Sequence, residues 1–246
     1  MKTIAVIPAR WASTRFPGKP LADIFGKSMI RRVYEQVSKI SALQAVCVAT
    51  DDERIARHVA DFGGLVQMTS SECLTGTDRC AEALEKSGLS ADVVINVQGD
   101  EPFIKPGQIE EICRLMEDTA ADIGTLCKKI ETAALLFDPN VVKLVKDSKG
   151  KALYFSRQAI PFVRGKEAST WPEETEFFRH IGMYAYKTEV LKSITKLPEG
   201  QLEKAECLEQ LRWLQAGCQI FVSETAFDSM GIDTPEDLTR INPSML

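Results

Sequence analysis

Histidine is scarce in this sequence of 246 residues, and cysteine occurs without a recognisable pattern. His58 and His180 are the only imidazoles, and the seven cysteines are scattered with no C-x-x-C pair. This distribution excludes the common structural zinc motifs and gives no disulfide framework. We therefore expect free thiols, which fit a reducing compartment. Any bound metal is expected to be a hard cation held by carboxylates.

An excess of positive charge and a long hydrophobic run are also missing. The formal net charge is −5, and the first apolar run already ends at Pro8. An acidic protein repels a phosphate backbone, so nucleic acid is not expected as a partner. The run is too short for a signal-peptide core or a membrane span. These features favour a cytoplasmic protein with no membrane partner.

Apolar runs of strand length alternate with helical patterns through the first half of the chain. Such alternation predicts an α/β fold with a mainly parallel sheet and helices on both faces. The predicted strands are Thr3–Pro8, Ala45–Thr50, Leu65–Thr69 and Asp92–Val97. The predicted helices are Met29–Ile40, Glu53–Phe62, Thr77–Lys86 and Gln108–Asp118.

The second half changes character after about residue 140, where short strands and polar segments predominate. No linker rich in proline or serine divides the chain, so we expect one domain over residues 1–246. Its nucleotide-binding core is expected at about residues 1–140 and 203–246, with a smaller β-rich excursion at about 141–202 that serves sugar binding and dimerisation. The predicted elements are the hairpin strands Val141–Lys146 and Ala152–Phe155, the strand His180–Tyr186, an exposed polar segment Arg164–Glu176, the helix Glu203–Ala216, the strand Gln219–Ser223 and a helix that begins near Thr234.

The segment Pro8–Leu21 follows the first predicted strand directly and carries three cations. Arg10, Arg15 and Lys19 share it with two hydroxyls and a glycine. Such a loop at the carboxyl end of a strand supplies charge and backbone donors for a polyphosphate. It is not a Walker loop, because the first glycine of that motif would fall on Leu21. A solvated basic loop is the alternative interpretation.

Two acidic positions are candidates for holding a divalent cation. Asp100 lies in Asn96–Pro102, which ends the fourth predicted strand, and Asp233 lies in Gly231–Leu238, just before a predicted helix. Carboxylates at such positions can hold a hard cation against phosphate oxygens. Read alone, each segment also fits a turn, and Asp233 also fits a helix cap.

Segment by segment, the sequence resembles the CMP-Kdo synthetases, a group of Rossmann-like sugar nucleotidyltransferases (Kdo is 3-deoxy-manno-octulosonate). The stretches Leu-Tyr-Phe-Ser-Arg, His-Ile-Gly-Met-Tyr and Leu-Glu-Gln-Leu-Arg point to Kdo rather than to another acidic sugar. The resemblance runs through nearly the full chain in one order. It rests on Pro8–Leu21, Val48–Asp51, Leu74–Arg79, Asn96–Pro102, Ala152–Pro161, Arg179–Tyr186, Leu208–Arg212 and Gly231–Leu238.

The resemblance implies transfer of CMP from CTP to Kdo, with release of pyrophosphate and with Mg²⁺ as cofactor, for lipopolysaccharide synthesis. It further implies a homodimer, which exposed apolar side chains in the excursion also favour. The implied ligands of the CTP phosphates are Arg10, Ser13, Arg15 and Lys19. The implied nucleotide-side residues are Gly76, Thr77, Arg79 and Gln98. The implied metal ligands are Asp100 and Asp233, which are also catalytic together with Arg10, Arg15 and Lys19. The implied Kdo-binding residues are Arg157, His180, Tyr184, Glu209 and Gln210.

Alternatives remain open at this point for both the residues and the function. Arg157 also fits a structural ion pair, His180 a hydrogen-bonded core residue, and Tyr184 a packing residue. Glu209 and Gln210 also fit the solvated face of an amphipathic helix. The alternative functions are transfer to another acidic sugar, such as sialic acid, and a nucleotide-binding homologue without catalysis.

Overall fold

The computed structural model of the protein describes residues 1–12, 15–118, 120–228 and 231–242. Its strands are β1 (Thr3–Ala9), β2 (Asp23–Ile24), β3 (Lys27–Ser28), β4 (Leu43–Thr50), β5 (Leu65–Met68), β6 (Val93–Asn96), β7 (Ile123–Ile130), β8 (Lys143–Lys146), β9 (Ala152–Ser156), β10 (Phe177–Lys187) and β11 (Ile220–Glu224). Its α-helices are α1 (Met29–Val37), α2 (Glu53–Asp61), α3 (Gly76–Ser87), α4 (Pro106–Asp118), α5 (Ala133–Phe137), α6 (Trp171–Glu174), α7 (Thr188–Ile194), α8 (Gln201–Glu206), α9 (Gln210–Gln215) and α10 (Pro235–Leu238).

One mixed sheet organises the molecule, with its strands in the order β11-β7-β10-β6-β1-β4-β5. The strands β6, β1, β4 and β5 are mutually parallel, and β11 is parallel to β7. Only β10 along this path runs antiparallel to both of its neighbours, β6 and β7. The expected α/β, Rossmann-like, mainly parallel sheet is therefore confirmed.

Both faces of the sheet are covered, as the nearly continuous apolar run of β1 predicts. Alternate residues of this strand belong to two different core clusters, because successive side chains of a strand point to opposite faces. Ala5 and Ile7 pack in one cluster with residues of α1, α2 and α4. Ile4 and Val6 pack in the other with residues of α3, α7 and α9.

The β-rich excursion is hydrogen bonded to this main sheet. Strand β8 pairs antiparallel with β10 and with β9, so the predicted hairpin extends the sheet sideways. The segment Arg164–Glu176, predicted to be polar and exposed, is exposed at most of its positions; it also contains α6, whose Trp171 is buried against Phe177. Within the described ranges, no helix is both long and apolar enough to cross a lipid bilayer.

The predicted helix Glu203–Ala216 is wrong as a single element. It is two helices, α8 and α9, because Cys207 adopts a left-handed conformation with φ 52° and ends α8. A non-glycine residue with positive φ breaks the helical hydrogen-bond ladder. The break turns α9 so that Leu211 and Trp213 enter the core beside β10.

Candidate active site

A cleft of about 310 Å³ opens at the carboxyl ends of β1 and β6. Ligands of open α/β sheets bind at this edge. Its lining combines cations, carboxylates and exposed backbone, and consists of Pro8, Ala9, Arg10, Arg15, Lys19, Pro20, Cys73, Leu74, Thr75, Gly76, Arg79, Gln98, Gly99, Asp100 and Asp233.

The loop after β1 folds back on itself and delivers Lys19 to this cleft. The Gly18 amide donates to the Trp11 carbonyl oxygen at 3.1 Å, and Gly18 has a φ of 73°. A Cβ at Gly18 would lie only 2.9 Å from the Trp11 ring, so glycine is needed both for conformation and for space. The Arg54 guanidinium lies 3.4 Å from the centre of the Trp11 ring and fixes its outer face.

Lys19 joins the two predicted metal-binding aspartates. Its Nζ lies 2.6 Å from Asp100 Oδ2 and 3.5 Å from Asp233 Oδ1, and it donates to the Ile232 carbonyl oxygen at 2.9 Å. The side chain of Lys19 is only 14% exposed. Arg15 Nη2 approaches Asp233 Oδ1 from solvent at 3.2 Å. Asp100 and Asp233, which are far apart in the sequence, therefore both lie close to the ammonium group of Lys19.

The backbone around Asp100 is held close to β1 and to the segment that carries Asp233. A Cβ at Gly99 would lie 2.7 Å from the Pro8 carbonyl oxygen, a distance that real Cβ atoms do not adopt. The Ile232 amide donates to the Asp100 carbonyl oxygen at 2.9 Å. These two contacts set the position of both aspartates relative to the loop after β1.

The two carboxylates suit a magnesium ion better than a metal that needs a full protein cage. Nowhere in the described ranges do three or more histidine, cysteine, aspartate or glutamate side chains form a cluster able to hold a metal. Mg²⁺ commonly takes one or two carboxylates and completes its coordination with water and substrate phosphates. Asp100 and Asp233 match this donor set.

The remaining predicted phosphate ligands lie at the mouth of the cleft or outside the described residues. Arg10 is exposed on its lining, next to Ala9 at the end of β1. Ser13 lies outside the described residues. Arg10, Arg15 and Lys19 thus contribute three positive charges to the lining of the cleft.

Of the predicted nucleotide-side residues, Gly76, Arg79 and Gln98 line the cleft, and Thr77 does not. Gly76 begins α3, where a Cβ would lie 3.3 Å from the Pro8 ring. Gln98 Nε2 donates to the Gly182 carbonyl oxygen at 3.1 Å. The buried Thr77 hydroxyl instead donates to Glu209 Oε2 at 3.0 Å and faces the predicted sugar side.

Arg79 has a partner to which the sequence analysis gave no role, Asp51, directly after β4. Arg79 Nη2 donates to Asp51 Oδ2 at 3.0 Å, and Nη1 donates to Thr69 Oγ1 at 2.6 Å. The Arg79 side chain is only 4% exposed, so the guanidinium is committed to these groups. The sequence signal that could have indicated Asp51 is its position directly after a buried parallel strand.

Two of the predicted sugar-side residues, Tyr184 and Glu209, belong to a buried cluster of aromatic and polar side chains. Tyr184 stacks on Tyr186 and meets the edge of Trp213, and its hydroxyl has no hydrogen-bond partner among the described residues. Burial raises the pKa of Glu209 despite its contacts with Thr77 and Arg212. These groups retain capacity to bind hydroxyl or carboxylate groups.

His180 is enclosed by aromatic rings and is neutral. Phe155 and Tyr184 each lie 5.2 Å from its ring centre, and desolvation lowers its pKa to about 3. Its Nε2 lies 2.9 Å from Thr125 Oγ1, whose single proton is directed to the Met183 carbonyl oxygen at 2.8 Å. Nε2 therefore donates its proton to Thr125, and Nδ1 is the acceptor.

The lowered pKa of His180 predicts that acid destabilises the protein. Below pH 6.5, the ordinary pKa, His180 becomes protonated in the unfolded chain. In the folded chain it stays neutral until the pH reaches about 3. From pH 7.5 to 5.5 this one group should lower the free energy of unfolding by about 1.4 kcal/mol. Urea unfolding of wild type and His180→Gln at both pH values should show a smaller pH effect in the variant. Equal pH effects in the wild type and in His180→Gln would contradict the prediction.

Arg157 and Gln210, the remaining sugar-side candidates, are not among the residues that line the cleft. Arg157 Nε donates to the Glu206 carbonyl oxygen at 2.7 Å, and Nη1 donates to the Pro139 carbonyl oxygen at 3.1 Å. Gln210 begins α9 and is buried. The guanidinium therefore ties the end of α8 to the segment before β8, and a role in sugar binding stays a prediction.

Comparison with known proteins agrees with this geometry. A family model described as Cytidylyltransferase matches residues 4–223. The 3-deoxy-manno-octulosonate cytidylyltransferase of Parabacteroides distasonis is 52% identical over 244 residues, which cover 98% of this chain and 96% of the relative. The protein of the same name from Bacteroides thetaiotaomicron is 52% identical over 241 residues, with 97% and 96% covered.

A solved structure shows the same relationship at the level of the fold. A CMP:2-keto-3-deoxy-manno-octonic acid synthetase, solved in complex with CTP, superimposes with a TM-score of 0.91 at 43% identity. The match covers 98% of this chain and 96% of the other. The resemblance inferred from the sequence is confirmed, and the chain belongs to the cytidylyltransferase family, among the 3-deoxy-manno-octulosonate cytidylyltransferases.

Proposed function

We propose that the protein transfers CMP from CTP to Kdo, forming CMP-Kdo and pyrophosphate and thereby activating Kdo for lipopolysaccharide synthesis. The observation that carries this proposal is the meeting of Asp100 and Asp233 at Lys19, beside Arg10 and Arg15, in a cleft at the carboxyl ends of β1 and β6. The family membership and the relative solved with CTP support it.

In the proposed reaction the anomeric hydroxyl of Kdo attacks the α-phosphorus of CTP. The new bond joins the sugar oxygen to the α-phosphorus, and the bond from that phosphorus to the bridging oxygen breaks and releases pyrophosphate. Little covalent chemistry falls to the protein, so positioning and charge neutralisation dominate. Arg10, Arg15 and Lys19 would bind the triphosphate, and Arg15 and Lys19 would stabilise charge that develops on the pyrophosphate.

Asp100 and Asp233 would hold the Mg²⁺ cofactor. When bound, the ion supplies positive charge at the α-phosphate and lowers the pKa of a hydroxyl beside it. The role of the protein is to keep both carboxylates close together. The close approach of Gly99 to Pro8 and the hydrogen bond from the Ile232 amide to the Asp100 carbonyl oxygen do this before any ligand binds.

The sugar is proposed to bind on the side of Gln98 away from the cations. Tyr184 has an uncommitted hydroxyl there, and Glu209 and Gln210 lie at the start of α9. His180 would contribute as a neutral hydrogen-bonding group, because its pKa of about 3 leaves it uncharged at neutral pH. Thr77 connects the two sides through its hydrogen bond to Glu209.

The function is tested by measuring pyrophosphate release with CTP and Mg²⁺ in the presence of each of two sugars. We expect rapid release with Kdo and little or none with N-acetylneuraminate, the common sialic acid. Faster release with N-acetylneuraminate than with Kdo would show that the preferred substrate is another acidic sugar. Binding of CTP without release in the presence of either sugar would support a non-catalytic homologue.

Homodimerisation and a cytoplasmic location complete the proposal. Phe162 and Leu153 in the excursion are 74% and 58% exposed, and side chains of this kind commonly become covered in an interface. All seven cysteines are described and are free thiols, which fits a reducing compartment. Sedimentation velocity should give the mass of two chains, and a monomer at micromolar concentration would contradict the dimer.

A further inference from the structure

The most exposed large hydrophobic side chain in the described part of the protein lies at the mouth of the cleft. Leu74 is 83% exposed and lines the cleft together with Thr75 and Gly76. It belongs to the segment of residues 69–75 between β5 and α3, which we call the α3 loop. An isolated exposed leucine is common on protein surfaces, but one on the rim of a ligand cleft can become buried when the ligand binds.

Leu74 shares the cleft with charged groups and with surfaces that carry no charge. Arg15, Lys19 and the two aspartates form one group of ion pairs, which suits a triphosphate and its cation. Pro8 approaches both Gly99, next to Asp100, and Gly76, two residues after Leu74, and it offers an uncharged surface together with Ala9 and the backbone at Gly76. Phosphates bound by Arg15 and Lys19 would leave the nucleoside to contact this uncharged part of the lining.

The α3 loop is anchored firmly although Leu74 is in water. Glu82 of α3 accepts a hydrogen bond from the Ser70 amide at 3.0 Å through Oε1. Its Oε2 accepts a hydrogen bond from the Cys73 thiol at 2.7 Å, and Lys86 forms an ion pair with the same carboxylate. Burial raises the pKa of the Cys73 thiol to about 12, and the hydrogen bond with Glu82 is the second cause of this increase.

A second residue of α3 and a helix cap fix the ends of the same loop. Arg79 Nη1 donates to Thr69 Oγ1 at 2.6 Å and to the Ser70 carbonyl oxygen at 3.4 Å. Thr75 caps α3 in a capping box with Asp78. The backbone on both sides of Leu74 is therefore ordered before any ligand binds, which reduces the entropic cost of binding.

We propose that Leu74 covers one face of the nucleobase and that Glu82 is the positioning residue that holds the α3 loop for this contact. This inference rests on the proposed function of the cleft as a CTP site. The face of a pyrimidine ring is the part of a nucleotide that an apolar side chain can cover without loss of hydrogen bonds. Burial of the leucine against that face favours binding in proportion to the apolar area removed from water.

The contact of Leu74 is tested by isothermal titration of CTP with Mg²⁺ and without sugar. Leu74→Ala should weaken CTP binding by about five- to tenfold, and the KM for CTP should rise by a similar factor while kcat stays within about twofold. Leu65→Ala is the matched control, because Leu65 is also exposed but lies at the opposite end of β5. Equal affinities of wild type and Leu74→Ala would overturn the proposal.

The role of Glu82 is tested with a readout that does not depend on activity. Glu82→Gln should speed alkylation of Cys73 by iodoacetamide, because loss of the carboxylate favours the thiolate. Peptide mass spectrometry separates Cys73 from the other six cysteines. The same variant should weaken CTP binding about threefold with kcat unchanged, while Glu85→Gln, on the exposed face of α3, should change neither property. Faster alkylation with unaltered CTP affinity would overturn the positioning role.

Failure of this inference is distinguishable from failure of the proposed function. A wild-type protein that binds CTP but releases no pyrophosphate with either sugar would refute the function alone. The CTP affinities of the wild type and of Leu74→Ala would still show whether Leu74 contacts the nucleobase. Protection of Cys73 from iodoacetamide by CTP would give independent support, because Cys73 is part of the cleft lining beside Leu74.

Discussion

Replacement of Asp100 by asparagine is expected to lower kcat by about three orders of magnitude while CTP binding falls by no more than about tenfold. The amide keeps the shape of the side chain and an oxygen that can accept from Lys19, whose Nζ lies 2.6 Å from Asp100 Oδ2. It removes the negative charge that a divalent cation requires. Triphosphate binding should largely survive, because Arg10, Arg15 and Lys19 are unchanged.

The measurement pairs pyrophosphate release at saturating CTP and Kdo with calorimetric CTP binding. Asp61→Asn is the matched control, because Asp61 is an exposed aspartate at the end of α2, away from the cleft. Urea unfolding shows whether Asp100→Asn stays folded. A folded Asp100→Asn variant with near-normal kcat would refute the assignment of Asp100 and, with it, the proposed two-carboxylate site.

The elements that the sequence predicted well are those whose pattern follows from burial alone. Strands β1, β4 and β6 are short apolar runs covered on both faces, so their composition identifies them. Strand β7, residues Ile123–Ile130, was not predicted. Its end carries Lys128 and Lys129, which form ion pairs with Asp228 and Glu176, and its start, Ile123-Gly124-Thr125, lacks a clear strand signal.

The break at Cys207 was equally invisible in the sequence. Residues 203–216 carry apolar side chains at helical spacing, and Cys207 has no intrinsic preference for positive φ. Tertiary contacts determine the break: Arg157 donates to the Glu206 carbonyl oxygen and, at 3.4 Å, to that of Cys207. Carbonyl groups freed by the end of α8 are thereby satisfied by a residue some 50 positions away.

For the site, the sequence and the resemblance indicated the charged groups but not their supports. Arg15, Lys19, Asp100 and Asp233 lie together in the structure. Asp51 and Glu82, which hold Arg79 and the α3 loop, were missed, since a carboxylate on a helix or a strand end usually faces solvent. Partners of this kind become visible only when long-range contacts are known.

Replacement of Lys19 by methionine is expected to lower kcat/KM for CTP by about 10²- to 10³-fold. Methionine keeps the unbranched apolar part of the side chain and removes the ammonium, which lies within 3.5 Å of both aspartates. The variant should therefore lose the proposed phosphate ligand and the proposed stabilisation of the departing pyrophosphate. Lys27→Met is the matched control, because Lys27 forms an ion pair with Glu35 away from the cleft.

The same Lys19→Met change should strengthen binding of a divalent cation when no nucleotide is present. In the structure the ammonium occupies the space between the carboxylates of Asp100 and Asp233, so it competes with a cation for the same oxygens. Removal of a positive charge at this distance should increase Mn²⁺ affinity by about tenfold, measured by electron paramagnetic resonance.

A triphosphate that draws Lys19 onto its own oxygens would release both carboxylates in the same way, which makes nucleotide and cation binding mutually reinforcing in the wild type. Wild type should therefore bind Mn²⁺ weakly alone and tightly with CTP, and Lys19→Met should show a smaller difference between the two conditions. Weaker binding of Mn²⁺ by nucleotide-free Lys19→Met than by wild type would show that the ammonium supports the two carboxylates rather than competing for them.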